Sequence, residues 1–76
     1  MNKLRRQELS NLASILEEAK DSLESLKEEE EEYRDNMPEN LWGSERYTKA
    51  EEAISDMEDA ISSLEDAISS MESAQE

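Results

Sequence analysis

The chain has 76 residues, of which 34% are hydrophobic and 39% charged, with one Gly, one Pro, one Trp and no Phe, Cys or His. That length supports one small domain with a narrow apolar seam, and the missing Cys and His exclude disulfides and remove the usual general base and the common zinc ligands. A net charge of −14 with a pI near 4.2 argues against direct binding to nucleic acid or to anionic membranes, both of which need clustered Lys and Arg.

The first segment carries Leu9, Leu12, Leu16, Ala19, Leu23, Leu26 and Tyr33 in alternating steps of three and four, with Glu30 as the one polar interruption. This is the a/d pattern of a paired helix and predicts a helix over 3–35. Its charges oppose the helix macrodipole: Lys3, Arg5 and Arg6 stand at the start and residues 28–32 are all Glu.

Residues 36–44 are expected to reverse the chain. The stretch NMPENLWGSERY holds the only Pro, Trp and Gly, at Pro38, Trp42 and Gly43. Pro38 cannot continue a helix and biases Met37 away from helical geometry, and Gly43 permits a sharp bend. Ser44 is a cap candidate for the next helix, and Thr48 with Glu51 offers a capping box one turn later. Leu41 and Trp42 can fold back over a last layer of Tyr33 and Tyr47, or Trp42 can stand out as a binding anchor.

The second segment, predicted as a helix over 45–75, places Tyr47, Ala50, Ile54, Met57, Ile61, Leu64, Ile68 and Met71 on an unbroken a/d seam. Its near-repeats EEAISDM, EDAISSL and EDAISSM have the heptad period. Set antiparallel, the two segments give layers such as Leu9 with Met71 and Leu26 with Ile54, each pair of residue numbers summing to 80. In that register Lys20 would lie near Glu58, Lys27 near Glu51 and Arg6 near Glu72. The expected fold is all-α: one domain, an antiparallel two-helix coiled-coil hairpin that dimerises into a four-helix bundle. A parallel dimer through the second helix remains the alternative, because Ile at a with Leu at d favours that state.

A second stripe on the later helix, Ala53, Ala60, Ser63, Ala67, Ser70 and Ala74, consists of small residues that let another helix approach. With Leu4 and Ile15 of the first helix it is the expected dimer interface. High helix propensity at Ala is the competing explanation.

No catalytic constellation emerges. The carboxylates of 28–32 point around a helix axis instead of converging as calcium-loop ligands do. The Ser pairs at 62–63 and 69–70 have no base, and nothing forms a pocket that would shift a carboxylate. The chain reads as a non-enzyme without cofactor or metal. With no membrane-length apolar run and no apolar signal core in MNKLRRQELS, a cytoplasmic protein is expected.

The stretch NMPENLWGSERYTKAEEAI, running into E-x-A-I-x-x-L/M repeats, resembles small acidic helical proteins of bacterial phages and mobile elements. The resemblance covers about half the chain and implies an accessory protein that acts by binding inside a bacterial host cell. Residues 50–76 hold nine acids and no Lys or Arg, and a rod of negative charge can imitate a nucleic-acid backbone. The expected partner is a basic protein, such as a nuclease or defence protein, inhibited through Glu28, Glu29, Glu31, Glu32, Asp59 and Asp66 of the acidic faces and Leu41 and Trp42 of the tip. A structural homo-oligomerisation module is the alternative, and an acidic cation buffer a third.

Overall fold

The side-chain oxygen of Asn2 accepts the Arg5 backbone N–H at 2.8 Å. It satisfies one of the donors that every helix start leaves without an internal partner. The computed structural model describes residues 1–76, and from this cap helix α1 runs over Lys3–Asp35. Within α1 neither Gly nor Pro interrupts and Ile15 is the only β-branched residue, so local propensity and heptad pattern agree. The helix closes at Asn36, whose N–H donates to the Glu32 carbonyl at 2.9 Å.

Pro38 then holds an extended backbone, with φ −58° and ψ 147°. A single 3₁₀ turn, Glu39–Leu41, follows, and Gly43 takes φ +86°, the left-handed region that residues with a Cβ enter at a cost. Ser44 caps helix α2, Glu45–Ala74, by accepting the Tyr47 N–H on its hydroxyl at 3.3 Å. The later capping box is therefore not the start of the helix. The two helices lie side by side as a hairpin rod of 59 × 14 × 13 Å.

On α2 the inward row follows the heptad pattern. Ala50, Ile54, Ile61 and Ile68 are buried, and Tyr47, Met57, Leu64, Met71 and Gln75 are half-buried between them. On α1 the inward row is Leu9, Ala13, Leu16, Lys20, Leu23, Lys27, Glu30 and Arg34, completed by Met37 beyond the helix end. From these burial rows we infer the register by counting the two sets of nine in antiparallel order, which matches Leu9 with Gln75, Leu16 with Ile68, Leu23 with Ile61 and Met37 with Tyr47, each pair of numbers summing to 84. α1 is rotated so that its a and e rows, not a and d, face α2, and the inferred register lies about one helical turn from the 80-sum one. Leu12, Leu26 and Tyr33, expected in the seam, are exposed, as is Ala19.

The rotation brings three basic side chains to the seam. Residues 50–76, which run from within α2 to the end of the chain, carry nine acids and no base, and turning the e row inward sets Lys20, Lys27 and Arg34 along that helix. Their side chains retain only 20%, 25% and 26% of their accessible surface. The aliphatic stems cover the seam while the charged heads stay in water. The expected interhelical pairs of Lys20 with Glu58, Lys27 with Glu51 and Arg6 with Glu72 do not form. The ion pairs present join Lys20 to Glu17 at 3.5 Å, Lys27 to Glu31 at 3.4 Å, Arg34 to Asp35 at 3.0 Å and Lys49 to Glu45 at 3.1 Å, all between near neighbours in sequence. Since exposed pairs contribute only about 0.2–1 kcal/mol each, burial of the stems and of the α2 isoleucines outweighs them.

The seam is thin. Six of 76 residues are buried and no large side chain is fully enclosed. The chain exposes 5593 Å², whereas a compact monomer of 8.7 kDa is expected to expose about 4,700 Å².

Candidate interaction surfaces

The a/e orientation of α1 sorts the rest of the rod into two unlike sides. In an antiparallel pair the e rows flank one side of the seam and the g rows the other. The e side of α2 holds Glu51, Glu58, Glu65 and Glu72, next to the outward Glu52, Asp59 and Asp66. Lys20 marks this side from α1: its ammonium is held above its ordinary value, first by the charge of Glu17 and more weakly by Glu65 across the seam. Arg34 is likewise held above its ordinary value, chiefly by its hydrogen bond to Asp35. Neither shift marks a reactive group, since both are cations beside carboxylates at the surface.

The sequence-predicted acidic residues lie around this rod without converging on one point. Asp59 and Asp66 are exposed on the back of α2. Glu28, Glu29 and Glu32 are exposed near the end of α1, while Glu31 is half-buried and paired with Lys27. No group of three or more carboxylates is placed to hold a metal ion. The one hollow in the surface is open, lies beside the first turn of α2 and is lined by Glu45, Arg46 and Lys49, with Glu45 and Lys49 already joined.

The g side differs in kind. Ala53 is half-buried, and Ala60, Ser63, Ala67, Ser70 and Ala74 are exposed along α2. On the same side of α1, roughly a quarter turn from the seam, stand Leu12, Ala19, Leu26 and Tyr33, with Ile15 one row further round. Ile15 is 59% exposed and Leu26 54%. Leu4 lies beyond this row near the helix start and is also exposed. Heptad assignment had placed Leu12, Leu26 and Tyr33 in the hairpin seam; the cue that they stand outside it was the width of the apolar arc on α1, which covers the e, a, d and g rows.

At the tip, the Trp42 indole N–H donates to the Met37 carbonyl at 3.1 Å, and its ring lies 6.1 Å from that of Tyr47, tilted by 34°. Trp42 is tied down and still 53% exposed. It leans on Tyr47 and Met37, and Tyr33 takes no part in that layer. Leu41 is exposed beside it.

No helix is long and apolar enough to cross a membrane. No protein-family model matches this chain, and neither curated proteins nor solved structures supplied a match.

Proposed function

We propose that the chain works by binding: two hairpins pair into a four-helix bundle. Its acidic outer surface occupies the basic groove of a nucleic-acid-handling or defence protein in a bacterial host cell and inhibits it. The resemblance of the loop and repeats to small phage and mobile-element proteins is in keeping with such an accessory role.

Linear charge density carries the reading. A net charge of −14 along 59 Å is one negative charge per about 4 Å. Two rods side by side give one per about 2 Å, close to the ~1.7 Å of duplex DNA. A groove that evolved to attract phosphates is drawn to such a rod over the same distances, with fast, salt-sensitive association.

The test is competition. Purified protein is titrated into complexes of fluorescent duplex DNA with a panel of bacterial nucleases at low ionic strength. Release of DNA and loss of cleavage are expected for at least one nuclease, fading as salt rises. A variant with Glu51, Glu58, Glu65 and Glu72 changed to Gln should lose both effects. Undisturbed DNA binding throughout the panel sinks the inhibitor reading. The exposed apolar row of α1 favours one second reading, an assembly module without inhibitory role, which would give a stable oligomer inert in that assay.

A further inference from the structure

The apolar row of α1 is too extensive to be incidental. Leu12, Ile15, Leu26 and Tyr33 all stand in water in the single hairpin. The chain exposes roughly 900 Å² more than the ~4,700 Å² of a compact monomer of its mass. A rod exposes more than a compact body by shape alone, and one of its faces, 59 Å long and 14 Å wide, matches the ~800 Å² per partner of a standard specific interface.

Two two-fold arrangements bring these faces together. With the axis perpendicular to the rods, α1 lies on α1 and α2 on α2. The second contact sets two segments of nine acids and no base against each other. With the axis parallel to the rods, each α1 lies on the α2 of its partner. Six of the eight basic residues belong to α1: Lys3, Arg5, Arg6, Lys20, Lys27 and Arg34. The first three have no ion-pair partner within the chain. In the second arrangement they come to the end where the partner's α2 finishes with Glu72 and Glu76.

Register agrees with charge. Under a parallel two-fold the heights set by the 84-sum layers are unchanged. Leu12 then comes level with Ala74 of the partner subunit, Leu26 with Ala60 of the partner subunit and Tyr33 with Ala53 of the partner subunit. Each match holds to within two residues, or about 3 Å of helix. Large side chains meet small ones at these three steps, as interdigitating helices require, while Ala19 comes level with Ala67 of the partner subunit.

We infer that a second copy of this chain covers the α1 row, with the two-fold axis parallel to the rods, so that each α1 packs on the partner's α2 and both Trp42 tips lie at one end. This rests on the pairing proposed above and adds its geometry. It also places the two acidic e-row edges on outer faces, where a basic partner can reach them.

Because the chain has no Cys, Asn40→Cys carries a single nitroxide at the turn. Sedimentation equilibrium and pulsed electron–electron resonance are read on the same sample. The expected result is a dimer with a label separation below about 30 Å, given helix axes 8–10 Å apart. A dimer whose labels lie near the 59 Å rod length overturns the parallel axis and leaves the pairing intact. A monomer at all concentrations overturns both. Leu26→Lys supplies the control on the surface: helical circular dichroism should be retained, because the residue is exposed in the hairpin, while dimer dissociation rises tenfold or more. A dimer of unchanged affinity in that variant overturns the assignment of the α1 row.

Discussion

The Trp42 indole N–H donates to the Met37 carbonyl oxygen at 3.1 Å, and this bond links the two halves of the turn. Met37 is buried under it as the last layer of the seam. The turn is therefore a folded unit, and the only Trp of the chain fastens it. Trp42→Phe keeps the ring against Tyr47 and removes the donor. A loss of about 1 kcal/mol is expected, the usual net worth of such a bond, read as a lower urea midpoint. Because Trp42 remains half-exposed, iodide should still quench its fluorescence in the folded wild type.

Gly43 holds φ +86° and a Cβ there would meet nothing within 4 Å. Any penalty at this position is thus conformational and not steric crowding by neighbours. Gly43→Ala should cost about 1–2 kcal/mol. For a domain of this size each kcal/mol corresponds to roughly 4–8 °C in Tm, which a thermal melt resolves. An unchanged Tm would show that the turn can rearrange at no cost.

Lys27 occupies a seam layer opposite Met57. Lys27→Leu should raise stability by about 1 kcal/mol through extra apolar burial, measured by denaturant unfolding. The same change would add nothing if α1 faced α2 with its d row, since position 27 would then lie on the flank. The substitution therefore tests the rotation of α1 directly.

Lys20 has its ammonium stabilised by Glu17, with Glu65 contributing from across the seam. A raised pKa in the folded state means that this stabilisation is complete below the ordinary lysine value of 10.5. It is lost as pH climbs through the higher folded value. In Lys20→Met the alkaline limb of the stability–pH curve should shrink, while the curve near neutrality keeps its shape.

Salt should move the two proposed associations in opposite directions. Pairing brings together two chains of −14 each, so screening their repulsion tightens the dimer, as sedimentation across a salt series would record. Binding to a basic groove relies on attraction and should weaken over the same series. Parallel trends in both assays would show that one contact is not electrostatic in the way described.

Residues 47–71 declared their own seam: the heptads of α2 have one apolar row pair, bounded by acids on one flank and alanines on the other, so only one face could turn inward. The two helices, their reversal at Pro38 and Gly43, and the Ser44 cap were legible for the same local reasons. The Asn2 cap was equally local and was missed, although Asn before a helical run is a common start signal. The surfaces proposed for interaction follow from the sequence only in part. The acids and the alanine stripe could be named residue by residue, but not the exposed standing of Leu12, Leu26 and Tyr33.

What the sequence determined by itself is that two long helices form and fold back on each other, because propensity, heptad period and turn chemistry act over a few residues at a time. What only the tertiary structure decided is which side of α1 meets α2. Four adjacent rows of that helix carry apolar side chains or long aliphatic stems, so the pattern alone admits several rotations. The choice is made only where the two helices meet, and it is read from which side chains are buried. The row bearing Lys20, Lys27 and Arg34 is turned inward, and Leu12 and Leu26 are left exposed.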